Sequence, residues 1–286
     1  MTARGADVLV DEVADGVWTA SSGTYRTLFF AGDSTVFAVN TFGTPAAAEA
    51  LSAAIAKTVP GKPLSGLITT VDHLDHSGYG RELGGPQDVV GHALTARVIQ
   101  HRGADGQLPI TRTIGGDGMM LDLDGVEVEL IYAGPSVGTG NLAVLLPQRR
   151  VLFVVGPQCN ARYGIFPDFH FRHVTRVWRV LAEQEADTFV PGRYAVLDAS
   201  TVRRAADYVD ALAVACQMAL CQGVPVWEVE TMGGFVGGQL RAEYGDLEGF
   251  DEHVAAAAIR IVHHYLMGGW GIEDTAHPER LLDYAS

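Results

Sequence analysis

The chain predicts an α/β sandwich of two stacked half-domains followed by a helical C-terminal extension, and three observations carry that prediction. Short apolar runs broken by Gly, Asp and Ser open the chain, strand and helix signals then alternate to residue 198, and past Asp198 only helical spacing remains. Strands and a helix followed by more strands and a helix bury two sheets against each other and place helices on their outer faces.

The elements justify themselves in order. VWTA, YRTLFF and STVFAV are β-rich runs separated by turn residues, the rhythm of an antiparallel meander. TPAAAEALSAAIAKTV has helical apolar spacing, with Thr44 as N-cap, Pro45 at the first helical position and Pro60-Gly61 as the stop. LSGLITT is a buried strand, DVVGH the next, and ALTARVIQHR a helix. MMLDLDG, VEVELIYAG, NLAVLLP and RRVLFVVG return to strand, VTRVWRVLAEQEA is a helix closed by Asp187, and DTFVPGR ends the pattern. Three helical stretches follow, over residues 201–223, 224–245 and 250–270. Their aromatic residues Tyr208, Trp227, Phe235, Tyr244 and Phe250 are expected to cover an apolar pocket or to form a homodimer contact.

Composition limits the function. At 286 residues and 48% hydrophobic the chain can bury a large core. Twenty Lys plus Arg against 34 Asp plus Glu give a net charge of -14, which repels nucleic acid and anionic membranes and leaves a small molecule as the expected partner. Cys159, Cys216 and Cys221 lack C-x-x-C spacing and read as free thiols of a reducing compartment. With no continuous apolar run of membrane-spanning length, the expected location is the cytoplasm.

The chemistry concentrates in LITTVDHLDHSGYG, where two histidines and two aspartates share five positions between an apolar run and glycines. With IYAGPSVGTGNLAVLLPQRRVLFVVGP and FVPGR following in order, this stretch resembles the metallo-β-lactamase fold superfamily, whose mark is T-H-x-H-x-D-H-x-G after a strand. The resemblance implies an αββα four-layer sandwich over residues 1–198, with 199–286 as an α-helical extension packed on it. It also implies metal ligands, and there the chain departs. His73, Asp75 and His76 match, but the remaining ligand positions fall on Val71, Val137, Pro157 and Arg193. Valine and proline side chains offer a cation no electron pair, and arginine adds positive charge where metal would sit.

The ordinary dizinc centre is therefore not expected, and three readings stay open. In the first, His73, Asp75 and His76 hold a single divalent metal (Zn, Fe or Mn) with a further histidine such as His92, His170 or His173, and the chain hydrolyses an ester, thioester or lactone. In the second, the favoured one, the pocket works with little or no metal. His76 or His73 is then the base, Asp75 fixes it, and Arg193 holds an anionic oxygen, in hydrolase-like, lyase, dehydratase, isomerase or cyclase chemistry. Asp72, Tyr163, His170 and His173 are the expected substrate contacts. The third reading is a catalytically silent binding protein.

Overall fold

A computed structural model describes residues 7–163 and 169–266. Two sheets form the centre. In the first, β1 (Leu9–Ala14), β2 (Val17–Ser22), β3 (Tyr25–Ala31) and β4 (Val36–Val39) run as an antiparallel meander, and β5 (Leu64–Thr69), β6 (Asp88–His92) and β7 (Arg112–Ile114) continue it in parallel. The second sheet has the order β12-β11-β10-β9-β8, from β8 (Gly118–Leu123), β9 (Val126–Ile131), β10 (Ala143–Leu146), β11 (Val151–Val154) and β12 (Thr188–Pro191). Its β11–β12 pair is parallel and the others antiparallel.

Strands β4, β10 and β11 are buried along their whole length, which requires cover on both faces. One apolar core lies between the sheets, where Phe30, Phe37, Ile68, Val144, Phe153 and Phe189 meet. A second joins Phe29, Phe42 and Leu67 to Leu51 and Ile55 of helix α1 (Pro45–Thr58). The Thr44 hydroxyl accepts from the Ala47 amide at 3.3 Å, so α1 starts where Thr44-Pro45 places it. Helix α2 (Leu74–Ser77) is a single turn inside the motif, and α3 (Ala93–Arg102) begins at His92.

Helix α4 (Phe171–Leu181) ends earlier than the sequence suggests, and Asp187 does not cap it. Its carboxylate instead receives the Arg150 guanidinium, with Nε 2.7 Å away. The extension comprises α5 (Ala199–Cys221), α6 (Val229–Tyr244) and α7 (Phe250–Leu266). Helix α6 starts five residues later than its apolar pattern suggests, because Pro225 falls in the turn that precedes it. The extension shares the inter-sheet core: Val202, Tyr208, Leu212 and Ala258 belong to the cluster that holds Phe153 and Trp178. Glycines of TMGGFVGGQL lie within α6, and a Cβ on Gly233 would come within 2.5 Å of the Ala255 Cβ on α7, so that glycine permits close helix packing. Among the described residues no helix is long and apolar enough to cross a membrane, and the three cysteines are free.

Candidate functional site

The motif loop leaves the C-terminal end of β5 and is fixed by a buried reciprocal pair. Asn40, in a left-handed backbone conformation (φ 64°), donates through Nδ2 to Thr70 Oγ1 at 2.8 Å, and the Thr70 amide donates to Asn40 Oδ1 at 2.9 Å. The Thr41 amide then donates to the His76 carbonyl at 2.7 Å. A Cβ on Gly43 would meet the Asp75 backbone at 2.8 Å, so the β4–α1 connection lies directly on the motif.

The opposite wall comes from the segment after β12. The Arg26 amide donates to the Gly192 carbonyl and the Tyr194 amide to the Thr24 carbonyl, pairing Tyr25 with Arg193 across the two sheets. Tyr194 takes a left-handed φ of 64° in making this turn. Arg193 consequently lies 4.5 Å over the Tyr25 ring and donates through Nη2 to the Asp75 carboxylate. Gly192 has no room for a side chain, since a Cβ there would come within 2.8 Å of the His76 ring.

His76 is almost fully buried, its Nε2 is 3.8 Å from Asp75 Oδ2, and its ring is edge-on to Tyr25 at 5.6 Å. Burial, with smaller contributions from Arg193 and His73, depresses its pKa to about 4 against the opposing pull of Asp75. It is a neutral imidazole at pH 7. Burial pushes the Asp75 carboxyl up, yet the charges around it outweigh burial and hold it below the usual range, and with His76 neutral the lasting cation is Arg193. Tyr25 is raised by burial, against Arg193 and with Asp75.

These groups open onto a cavity of about 130 Å³ whose walls include His73, His76, Tyr163, Phe169 and Arg193. Val137 and Pro157 also line it, and Val71 is fully buried in the core behind. Three of the four positions where the fold family places further ligands therefore border the cavity, and none carries a side chain suited to metal. Among the described residues no three His, Cys, Asp or Glu side chains converge as a metal-binding group. The residues present do not fit the family's metal centre: three of the four vacated donor positions are apolar, and the fourth, Arg193, is a cation engaged with the surviving carboxylate.

The expected site residues thus divide. His73, His76, Tyr163 and Arg193 come together on the cavity, with Asp75 directly behind. The Tyr163 hydroxyl is used by the chain itself, accepting from the Gln158 amide at 3.0 Å, so Tyr163 offers its ring to the pocket. Asp72 turns the other way, into an ion pair with Arg102 at 2.5 Å, and braces the loop instead of touching a substrate. His170 is fully buried at the start of α4 and His173 follows in its first turn; neither lines the cavity, where Phe169 takes the place. His92 caps α3 through Nδ1 and stacks on Tyr132 at 4.1 Å, so it supplies no ligand here. Of the extension's aromatic residues, Tyr208, Tyr244 and Phe250 are core, Trp227 is 71% exposed, and none of the five covers this cavity. Sequence reasoning missed Tyr25, an unremarkable strand residue whose role depends on pairing with a segment 168 positions away.

No protein-family model matches the chain. It is 39% identical over 97% of its length to 88% of the 2,4-dinitroanisole O-demethylase subunit beta of Nocardioides sp. strain JS1661. It is 36% identical over 92% of its length to 81% of the subunit alpha from the same organism. Among solved structures, a metallo-β-lactamase from Pontibacter korlensis superposes on 71% of this chain and 99% of its own with a TM-score of 0.63 at 20% identity. One from Hirschia baltica does so over 71% and 97% with a TM-score of 0.61 at 18% identity. The structural likeness establishes the metallo-β-lactamase fold.

Proposed function

From a chain that belongs to the family of the 2,4-dinitroanisole O-demethylase subunits and carries the metallo-β-lactamase fold, we propose an enzyme that cleaves electron-poor aryl methyl ethers with water, using side chains in place of metal. The observation that carries this reading is the meeting of neutral His76 and Arg193 on one cavity, with the ionised Asp75 joined to both behind it. Nitro groups ortho and para to a methoxy group make the ring carbon that bears it electrophilic. Water adds to that carbon as His76 accepts its proton, and the negative charge spreads to the nitro oxygens, where Arg193 provides a fixed cation. The C–OCH₃ bond then breaks, methoxide takes the proton from His76, and methanol and a phenol leave, the phenol ionising to phenolate. Ether plus water gives phenol plus methanol, with no change of oxidation state.

A base with a depressed pKa is always in its acceptor form at neutral pH, and the developing anion beside it raises its proton affinity when the proton must be held. Phe169, Val137 and Tyr163 supply apolar and aromatic wall for a ring. Because the relatives are named as alpha and beta subunits and this chain resembles both over most of its length, a second chain of the same family is the proposed partner. The C-terminal helices remain a proposed contact surface.

The test is incubation with 2,4-dinitroanisole in H₂¹⁸O, following phenolate by absorbance and methanol by chromatography. Equimolar phenolate and methanol with ¹⁸O in the phenolate is the expected result. Label in methanol instead would move the attack to the methyl carbon, and absence of turnover on nitro-activated aryl methyl ethers, alone and with a coexpressed family partner, would overturn the reading.

A further inference from the structure

Tyr25 touches all three groups of the proposed chemistry without lining the cavity itself. The face of its ring lies under the Arg193 guanidinium at 4.5 Å, its edge meets the His76 ring at 5.6 Å, and its hydroxyl hydrogen-bonds the Asp75 carboxylate. Backbone register puts it there. The β2–β3 hairpin turns at Gly23, in a left-handed conformation (φ 59°), and pairs Ser22 with Tyr25, so Tyr25 opens β3 at the tip of the hairpin. The Arg26 amide then donates to the Gly192 carbonyl at 2.9 Å and the Tyr194 amide to the Thr24 carbonyl at 2.7 Å. These bonds flank the Tyr25–Arg193 pair instead of joining it, the kind of antiparallel pair whose side chains approach most closely. Arg26 Nε, donating to the Tyr194 carbonyl at 2.8 Å, adds a third tie.

An arginine side chain has many rotamers, and ordering it in one costs entropy. The ion pair with Asp75 is a weak constraint by itself, because both side chains are partly exposed, 25% for Arg193 and 31% for Asp75, and solvent screens them. The carboxylate also holds only one edge of the guanidinium, whereas a ring beneath the plane limits its tilt. The Tyr25 hydroxyl adds a bond to a carboxylate that Arg193 already engages, so the ring contributes the larger share. On the reading in which Arg193 meets the charge that develops on the substrate, we propose that Tyr25 is a positioning residue whose ring holds the Arg193 fork toward the cavity. The tip of the β2–β3 hairpin thereby becomes part of the site, although it supplies no group that touches the substrate.

The test compares Tyr25→Phe, which keeps the ring, with Tyr25→Leu and Tyr25→Thr, which remove it; either ringless variant suffices if the other does not fold. The first readout needs no turnover. Phenylglyoxal, an arginine-selective reagent, should modify Arg193 about threefold or more faster in the ringless full-length variants than in the parent or Tyr25→Phe, followed at the Arg193 peptide by mass spectrometry. The second is kinetic. Tyr25→Leu should lower kcat for 2,4-dinitroanisole about threefold to thirtyfold, Tyr25→Phe should restore most of it, and in an Arg193→Ala background Tyr25→Leu should cost less than about twofold. Unchanged Arg193 reactivity in the ringless variants overturns the proposal. So does an equal loss of kcat with and without Arg193, which would mark general damage to the fold, and so does a loss in Tyr25→Phe as large as in Tyr25→Leu, which would give the role to the hydroxyl. Absence of turnover in the parent would instead overturn the demethylase reading, and the reactivity of Arg193 would still decide whether Tyr25 holds it.

Discussion

Arg193 donates to the carboxylate of Asp75, a residue 118 positions earlier in the chain, while its guanidinium lies over the face of Tyr25. A planar cation held by an anion on one side and a ring on the other is pre-organised, so its position does not depend on substrate.

Replacing Arg193 with Ala should lower kcat/KM for 2,4-dinitroanisole about 10²- to 10³-fold, the usual range for removing one donor to a developing anion. Arg193→Lys should recover only part of that loss, since an ammonium keeps the charge without the fork. Steady-state kinetics check both, and undiminished activity in Arg193→Ala would remove the cation from the chemistry.

His76 predicts a pH-dependent stability. Its folded pKa of about 4 lies below the unfolded value near 6.5, so as pH falls the unfolded chain takes up a proton before the folded one. The contribution is complete above pH 6.5 and is lost progressively down to about pH 4, on the order of 3 kcal/mol. Chemical denaturation at pH 7 and pH 4.5 should show the loss, and His76→Gln should flatten it. A parent protein equally stable at both values would contradict the burial argument.

Asn40 predicts a stability effect that separates backbone from side chain. Asn40→Ala loses the Thr70 pair and imposes a strained left-handed alanine, a cost of about 2–4 kcal/mol, whereas Asn40→Gly relieves the strain and should cost roughly 1–3 kcal/mol. Urea melts of the two variants measure the difference, and equal destabilisation would mean the conformation is not strained.

Metal content gives a further prediction. Protein purified without added metal or chelator should carry well below one atom of zinc, iron or manganese per chain by plasma mass spectrometry, and chelator treatment should leave activity unchanged. A stoichiometry near one, with activity lost on removal, would replace the side-chain mechanism by a mononuclear centre.

The two-sheet sandwich with its helical extension and the placement of His73, Asp75 and His76 in a loop after a strand were legible in the sequence, and the resemblance to the metallo-β-lactamase superfamily marked Val71, Val137, Pro157 and Arg193 as departures from its ligand set. These are local facts: apolar period sets strands and helices, Thr44-Pro45 fixes a helix start, and a residue without an electron pair cannot hold metal wherever it lies. Tertiary structure alone decided which groups face one another. Arg193 meets Asp75 and Tyr25 because the segment after β12 pairs with the start of β3 across the sandwich, and no periodicity records that pairing. Asp72 and Asp75 are three positions apart, yet Asp72 precedes the single turn of α2 and Asp75 lies within it, so one meets Arg102 and the other Arg193. His170 and His173 likewise follow a chain that brings Phe169 to the wall and carries them into or onto α4. Side-chain chemistry is written residue by residue, whereas the direction in which a side chain points is settled only when distant segments pack.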